Sequence, residues 1–69
     1  MDFTKPIYAE VEGNSYAKDF REYLTTHGIK FDEVIDDYKY VGDYHVFQCI
    51  MTKEQMLGAN RDTNVLFYQ

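Results

Sequence analysis

Tryptophan is absent from this chain, and cysteine, proline and serine occur once each. A lone cysteine, Cys49, cannot form an intramolecular disulfide, which excludes a disulfide-rich secreted scaffold and fits a reducing compartment. No run of about 18 apolar residues is present, so no helix is expected to span a membrane. The opening residues, Met1 to Pro6, lack an apolar h-region, so no signal peptide is predicted. Bases are scarce too: seven Lys and Arg face twelve Asp and Glu, for a net charge of −5. Such a field repels phosphate and anionic lipid and attracts basic surfaces. These deficits predict a soluble, cytoplasmic protein.

The apolar fraction, 45%, is ordinary for a folded domain and too high for a disordered acidic tail. Sixty-nine residues make one domain, 1–69, near the lower size limit for a single core. Seven Tyr and five Phe offer compensation, since each ring buries roughly 150–250 Å².

The negative charge is concentrated in two stretches. Asp2, Glu10 and Glu12 against Lys5 leave −2 in residues 1–13, and Asp32, Glu33, Asp36, Asp37 and Asp43 against Lys30 and Lys39 leave −3 in residues 30–45. Elsewhere the charges cancel.

Ile7 to Glu12 alternates, with Ile7, Ala9 and Val11 on one face and Tyr8, Glu10 and Glu12 on the other, which predicts a half-buried strand. Pro6 stands at its entrance, where a missing donor does little harm. Gly13-Asn14-Ser15 breaks the strand, and Asn14 or Ser15 can cap a helix. That helix is predicted over Tyr16 to His27, with Tyr16, Phe20, Tyr23, Leu24 and His27 as its apolar stripe. Gly28 supplies a left-handed C′ residue, and Ile29 its hydrophobic partner.

Lys30 to Val41 fits both periods: Phe31, Val34, Ile35 and Tyr38 suit a helix, while Val34, Tyr38 and Tyr40 suit a strand. The stop at Gly28 and the Val, Ile and Tyr content favour a strand, with a bulge near Asp36-Asp37 to change its phase. Gly42-Asp43 makes a hairpin turn. Tyr44 to Met51 reads as a central strand, with Phe47, Cys49 and Met51 on one side and Val46, Gln48 and Ile50 on the other. Thr52 and Gln55 form a capping box for a very short helix that Gly58 ends. Asn60 to Thr63 reads as a polar loop, and Asn64 to Tyr68 as a final strand. The predicted architecture is α+β: a compressed ferredoxin-like β-α-β-β-α-β chain, with a four-stranded antiparallel sheet and both helices on one face.

The candidate chemistry is sparse. Asp36 and Asp37, adjacent on a strand, point to opposite faces and cannot easily share one ion, and the spacing of a calcium loop is missing. His45 and Cys49, four residues apart on a strand, stand about 13 Å from each other, too far for one zinc ion. Cys49 reads as a small core hydrophobe and Ser15 as a cap. No metal, cofactor or enzymatic activity is expected. Tyr38, Tyr40 and Tyr44 bracket the acidic hairpin and Tyr8 joins the first strand's acids, a pairing suited to protein recognition. The aromatic and basic platform of an RRM has no counterpart, because Glu10 and Glu12 stand where phosphate requires Lys or Arg. Direct nucleic-acid binding is disfavoured.

In size, acidity, tyrosine content and lack of a catalytic motif, the whole chain resembles the small acidic host-takeover proteins of bacteriophages, DNA mimics among them. The resemblance implies carboxylates standing in for phosphates on the DNA-binding surface of a bacterial host protein. Nucleoid-associated HU-like proteins, RNA polymerase, restriction or CRISPR nucleases and uracil-DNA glycosylase are targets of that class. The segregated charge, not the resemblance, places the contact on Asp32, Glu33, Asp36, Asp37 and Asp43, with Glu10 and Glu12, and the bracketing tyrosines place the shape-specific part on Tyr38, Tyr40 and Tyr44. A homodimer through the edge of Val65 to Tyr68 would bury further area and double the acidic surface. A small structural or adaptor protein, acidic only for solubility, is the competing expectation; a ferredoxin-like small-molecule sensor is a third.

Overall fold

The parity of the first strand decides the whole arrangement. In the computed structural model, which describes residues 1–34 and 44–69, β1 (Ile7–Glu12) buries Ile7, Ala9 and Val11 completely and turns Tyr8, Glu10 and Glu12 the other way. The chain continues as α1 (Asn14–Thr26), β2 (Lys30–Val34), β3 (Tyr44–Ile50), α2 (Lys53–Asp62) and β4 (Leu66–Tyr68). The four strands form one antiparallel sheet in the order β2-β3-β1-β4, the α+β order expected of a compressed ferredoxin-like chain. The ambiguous segment is a strand over Lys30–Val34. The expected bulge at Asp36-Asp37, the turn at Gly42-Asp43, and Tyr38 and Tyr40 lie outside the described residues.

One hydrophobic cluster joins the inward residues of the sheet to both helices. It contains Ile7, Ala9, Val11, Phe47 and Cys49 from the strands, Ala17, Phe20 and Leu24 from α1, and Ala59 from α2. Phe20 meets Phe47 edge-on at 5.2 Å and Phe67 at 6.2 Å, while Phe31 meets Phe47 at 5.9 Å. Phenylalanine thus supplies the aromatic core, and each fully buried ring contributes roughly 1.5–3 kcal/mol through burial. No described tyrosine is fully buried.

The boundaries of α1 differ from expectation at its start. Neither Asn14 nor Ser15 caps it; both lie inside the helix, and the cap is Gly13, at φ 104°, with no side-chain bond. Asn14 is engaged elsewhere, its Oδ1 lying 2.7 Å from His45 Nε2 on β3. The inward stripe is Ala17, Phe20 and Leu24, with Tyr23 half-buried beside it, so Tyr16 is shifted off it and is 56% exposed. The C-terminus follows the sequence closely. Gly28 takes φ 66°, its N–H donates to Thr25 O, and the Ile29 N–H donates to Leu24 O, the two bonds of a Schellman motif.

The Thr52–Gln55 capping box is present in both directions: the Gln55 N–H donates to Thr52 Oγ1 at 3.1 Å and the Thr52 N–H to Gln55 Oε1 at 2.9 Å. Gly58 does not end α2, and Asn60 to Asp62 are helical rather than loop. Continuing the helix buries Ala59 completely, and Thr63 closes it by donating from N–H and Oγ1 to Ala59 O. These gains offset the cost of a mid-helix glycine, about 1 kcal/mol. The final strand is shorter than expected, Leu66–Tyr68. Beyond it, Gln69 pins the N-terminal segment: its Oε1 accepts from Asp2 N–H at 2.7 Å and its Nε2 donates to Asp2 O and Pro6 O.

Candidate functional site

With both helices on one side, the opposite face of the sheet is uncovered by either. Register fixes what lies on it. Glu12 faces Tyr44, Glu10 faces Val46, and Tyr8 faces Gln48 across β1 and β3; Leu66 and Tyr68 flank Glu10 and Tyr8 from β4; Asp32 faces Gln48 from β2. Tyr8 and Tyr68 stack with centroids 5.5 Å apart. Leu66 is 63% exposed, and Ile50, Tyr44 and Tyr68 are also exposed. This face is acidic and partly aromatic, with large apolar side chains open to solvent.

The sequence-derived acids divide in two. Glu10, Glu12 and Asp32 share the open face. Glu33 does not join them: opposite Phe47 in the register, it projects to the helix side, where the Arg21 guanidinium binds both its carboxylate oxygens. That guanidinium also lies 5.7 Å from the Phe47 ring centre. The charge on Glu33 is therefore compensated locally. Among the described residues, the only other ion pair is Arg61–Asp62 on α2, so neither involves Glu10, Glu12 or Asp32. Asp36, Asp37, Asp43, Tyr38 and Tyr40 lie outside the described residues.

Glu12 and Tyr44 pair across the strands at one end of the face. The Glu12 charge raises the Tyr44 pKa above the usual tyrosine value, with further contributions from desolvation, a hydrogen bond to Glu12 and the charge of Glu10. Beside them a groove of about 660 Å³ is lined by Glu10, Glu12, Tyr16, Tyr44, Val65 and Leu66, together with Gly13 and Asn64. Among the described residues, its only charged lining groups are carboxylates. A groove of about 570 Å³ at the β2 edge is lined instead by both Lys30 and Asp32, whose charges offset.

Sequence reasoning marks Val65 and Leu66 only as a self-association edge and Tyr16 only as part of the helix stripe, not as neighbours of Glu10 and Glu12. Tyr16 lies four residues before Phe20, a spacing that suits the helix core, but the stripe falls on the small Ala17 instead. The position of Leu66 follows from alternation, since Phe67 inward requires Leu66 outward.

Cys49 is completely buried, and burial pushes its thiol pKa up to about 11. His27 stacks on Tyr23 at 4.0 Å. Among the described residues, no three His, Cys, Asp or Glu side chains are grouped to hold a metal ion, and no helix is long and apolar enough to cross a membrane. No protein-family model, curated protein or solved structure matches the chain.

Proposed function

We propose that this is a non-enzymatic acidic binding protein that occupies a basic surface of a DNA-binding host protein and inhibits it by presenting carboxylates in place of phosphates. The observation that carries the reading is the shared placement of Glu10, Glu12 and Asp32 on the sheet face that neither helix covers, outside the two ion pairs found among the described residues, with Tyr8, Tyr44 and Tyr68 among them. Carboxylates supply attraction and orientation, and the tyrosines supply area that tolerates a wet rim. Glu33 is left out of the contact because Arg21 already holds it. Asp36, Asp37 and Asp43 remain in the proposal on sequence grounds.

Bacteriophage host-takeover proteins act in this way, and HU-like proteins, RNA polymerase and nucleases are the partner classes to test. Purified examples of each should be titrated with the chain from roughly 50 mM to roughly 500 mM salt, a range over which screening removes most of an exposed electrostatic contact. A steep loss of affinity with salt supports the reading. Binding insensitive to salt, or no binding by any of them, favours instead an adaptor protein whose acidity only keeps the surface soluble.

Self-association through β4 belongs to the same proposal. This strand lies at the sheet edge, and an exposed edge bearing Leu66 can pair with a second copy. Light scattering that finds only an 8.2 kDa species removes this part.

A further inference from the structure

We infer that the groove between β1, α1 and the start of β4 receives one arginine side chain of the partner. The inference rests on the binding role proposed above and names what that site recognises. Its walls are apolar or aromatic: Tyr16 from α1, Tyr44 from β3, and Val65 and Leu66 at the start of β4. Tyr16 and Leu66 are 56% and 63% exposed, so both offer area that a ligand can cover. Glu10 and Glu12 lie two apart on one strand face, which places their Cα atoms roughly 7 Å from each other. Among the described residues, no cation lines the groove.

This combination suits arginine better than lysine. A guanidinium presents several donors in one plane and can bond to two carboxylates at once, whereas an ammonium acts as a point charge. Its flat face stacks on a tyrosine ring, and its three-carbon stem lies along aliphatic side chains such as Val65 and Leu66. A phosphate or carboxylate ligand would meet two like charges here. The second groove, lined by Lys30 and Asp32, lacks this bias.

The test uses two short blocked peptides, identical except for a single central Arg or Lys, titrated into the isotope-labelled full chain and followed by amide NMR. The Arg peptide should shift the amides of Glu10, Glu12, Tyr16, Tyr44 and Leu66 along saturable curves, and the Lys peptide should bind several-fold more weakly. Tyr16→Ala and Leu66→Ala keep every acid, and both remove exposed side chains, so the fold should persist. Each should weaken the Arg peptide about two- to fivefold, the usual size of an exposed cation–π or stem contact. Shifts spread evenly over Asp19, Glu22 and Glu54 as well, equal binding of the two peptides, or unchanged affinity in both variants would overturn the inference. If basic proteins still bind with steep salt dependence in that case, the broader binding role survives without the arginine site. If they do not, both fall.

Discussion

Glu33 is clasped by Arg21 on the helix-covered side of the sheet, while its chain neighbour Asp32 faces the opposite way. Adjacent acids on one strand therefore have different surroundings: Glu33 is paired with Arg21, and Asp32 lies on the face that neither helix covers. The pair is partly exposed, at 39% for each side chain, so the ionic contribution is small, about 0.5 kcal/mol. Arg21→Ala should cost more, about 1 kcal/mol, because the guanidinium also lies over the Phe47 ring. Urea unfolding of Glu33→Gln and Arg21→Ala should reproduce that order. Neither substitution should weaken binding to a basic partner.

At the end of α1, Gly28 has open space where a Cβ would stand, so its positive φ alone decides its tolerance. Gly28→Ala should destabilise the chain by about 1 kcal/mol, and Gly28→Asn by less, since Asn visits the left-handed region more readily. Chemical denaturation of both variants checks the ranking. Equal stability of the alanine variant and the parent would contradict it.

Thr52 receives the Gln55 N–H through its hydroxyl and returns its own N–H to the Gln55 side chain. Thr52→Ala leaves one orphan donor in the first turn of α2 and should cost about 1 kcal/mol. Thr52→Ser keeps the acceptor and should cost much less. The difference should be visible as a fall in thermal midpoint for the alanine variant only.

Burial of Cys49 gives stability an alkaline limit. Its folded-state pKa, about 11, exceeds the ordinary value of 9.0, so the unfolded chain loses this proton first as pH rises. The contribution is fully present below about pH 9 and is lost progressively as pH climbs toward 11. Cys49→Ala should lower stability at neutral pH by leaving a small cavity, and should flatten this part of the decline. Thermal melts of both proteins between those pH values should converge. A constant difference would show that the thiol is not the titrating group.

Strand and helix order, the two-sided character of β1 and β3, and both helix signals at Gly28 and Thr52 were legible from local chemistry, because each depends on residues a few positions apart. The errors share a cause. Asn14 has the chemistry of a cap, yet its side chain meets His45 thirty-one residues away. Gly58 has the chemistry of a stop, yet burial of Ala59 carries the helix past it. The surroundings of the candidate site depend on the same kind of contact: Arg21 of α1 reaches Glu33 but not Asp32, and Tyr16 joins Glu12 only through the crossing of α1 over the sheet. Long-range partners of polar side chains are not written in local patterns. Strand parity was informative enough to place Glu10 and Glu12 together on one face.

The most direct measurement is displacement of labelled duplex DNA from a basic bacterial DNA-binding protein, with HU-like proteins, RNA polymerase and a nuclease tried in turn. The wild-type chain should release the DNA from at least one of them. A variant carrying Glu10→Gln and Glu12→Gln should need at least about tenfold more protein, as expected for losing two charged contacts, while Glu33→Gln should match wild type. Equal potency of the double variant and the wild type, or a loss with Glu33→Gln as large as with the pair, would contradict the account.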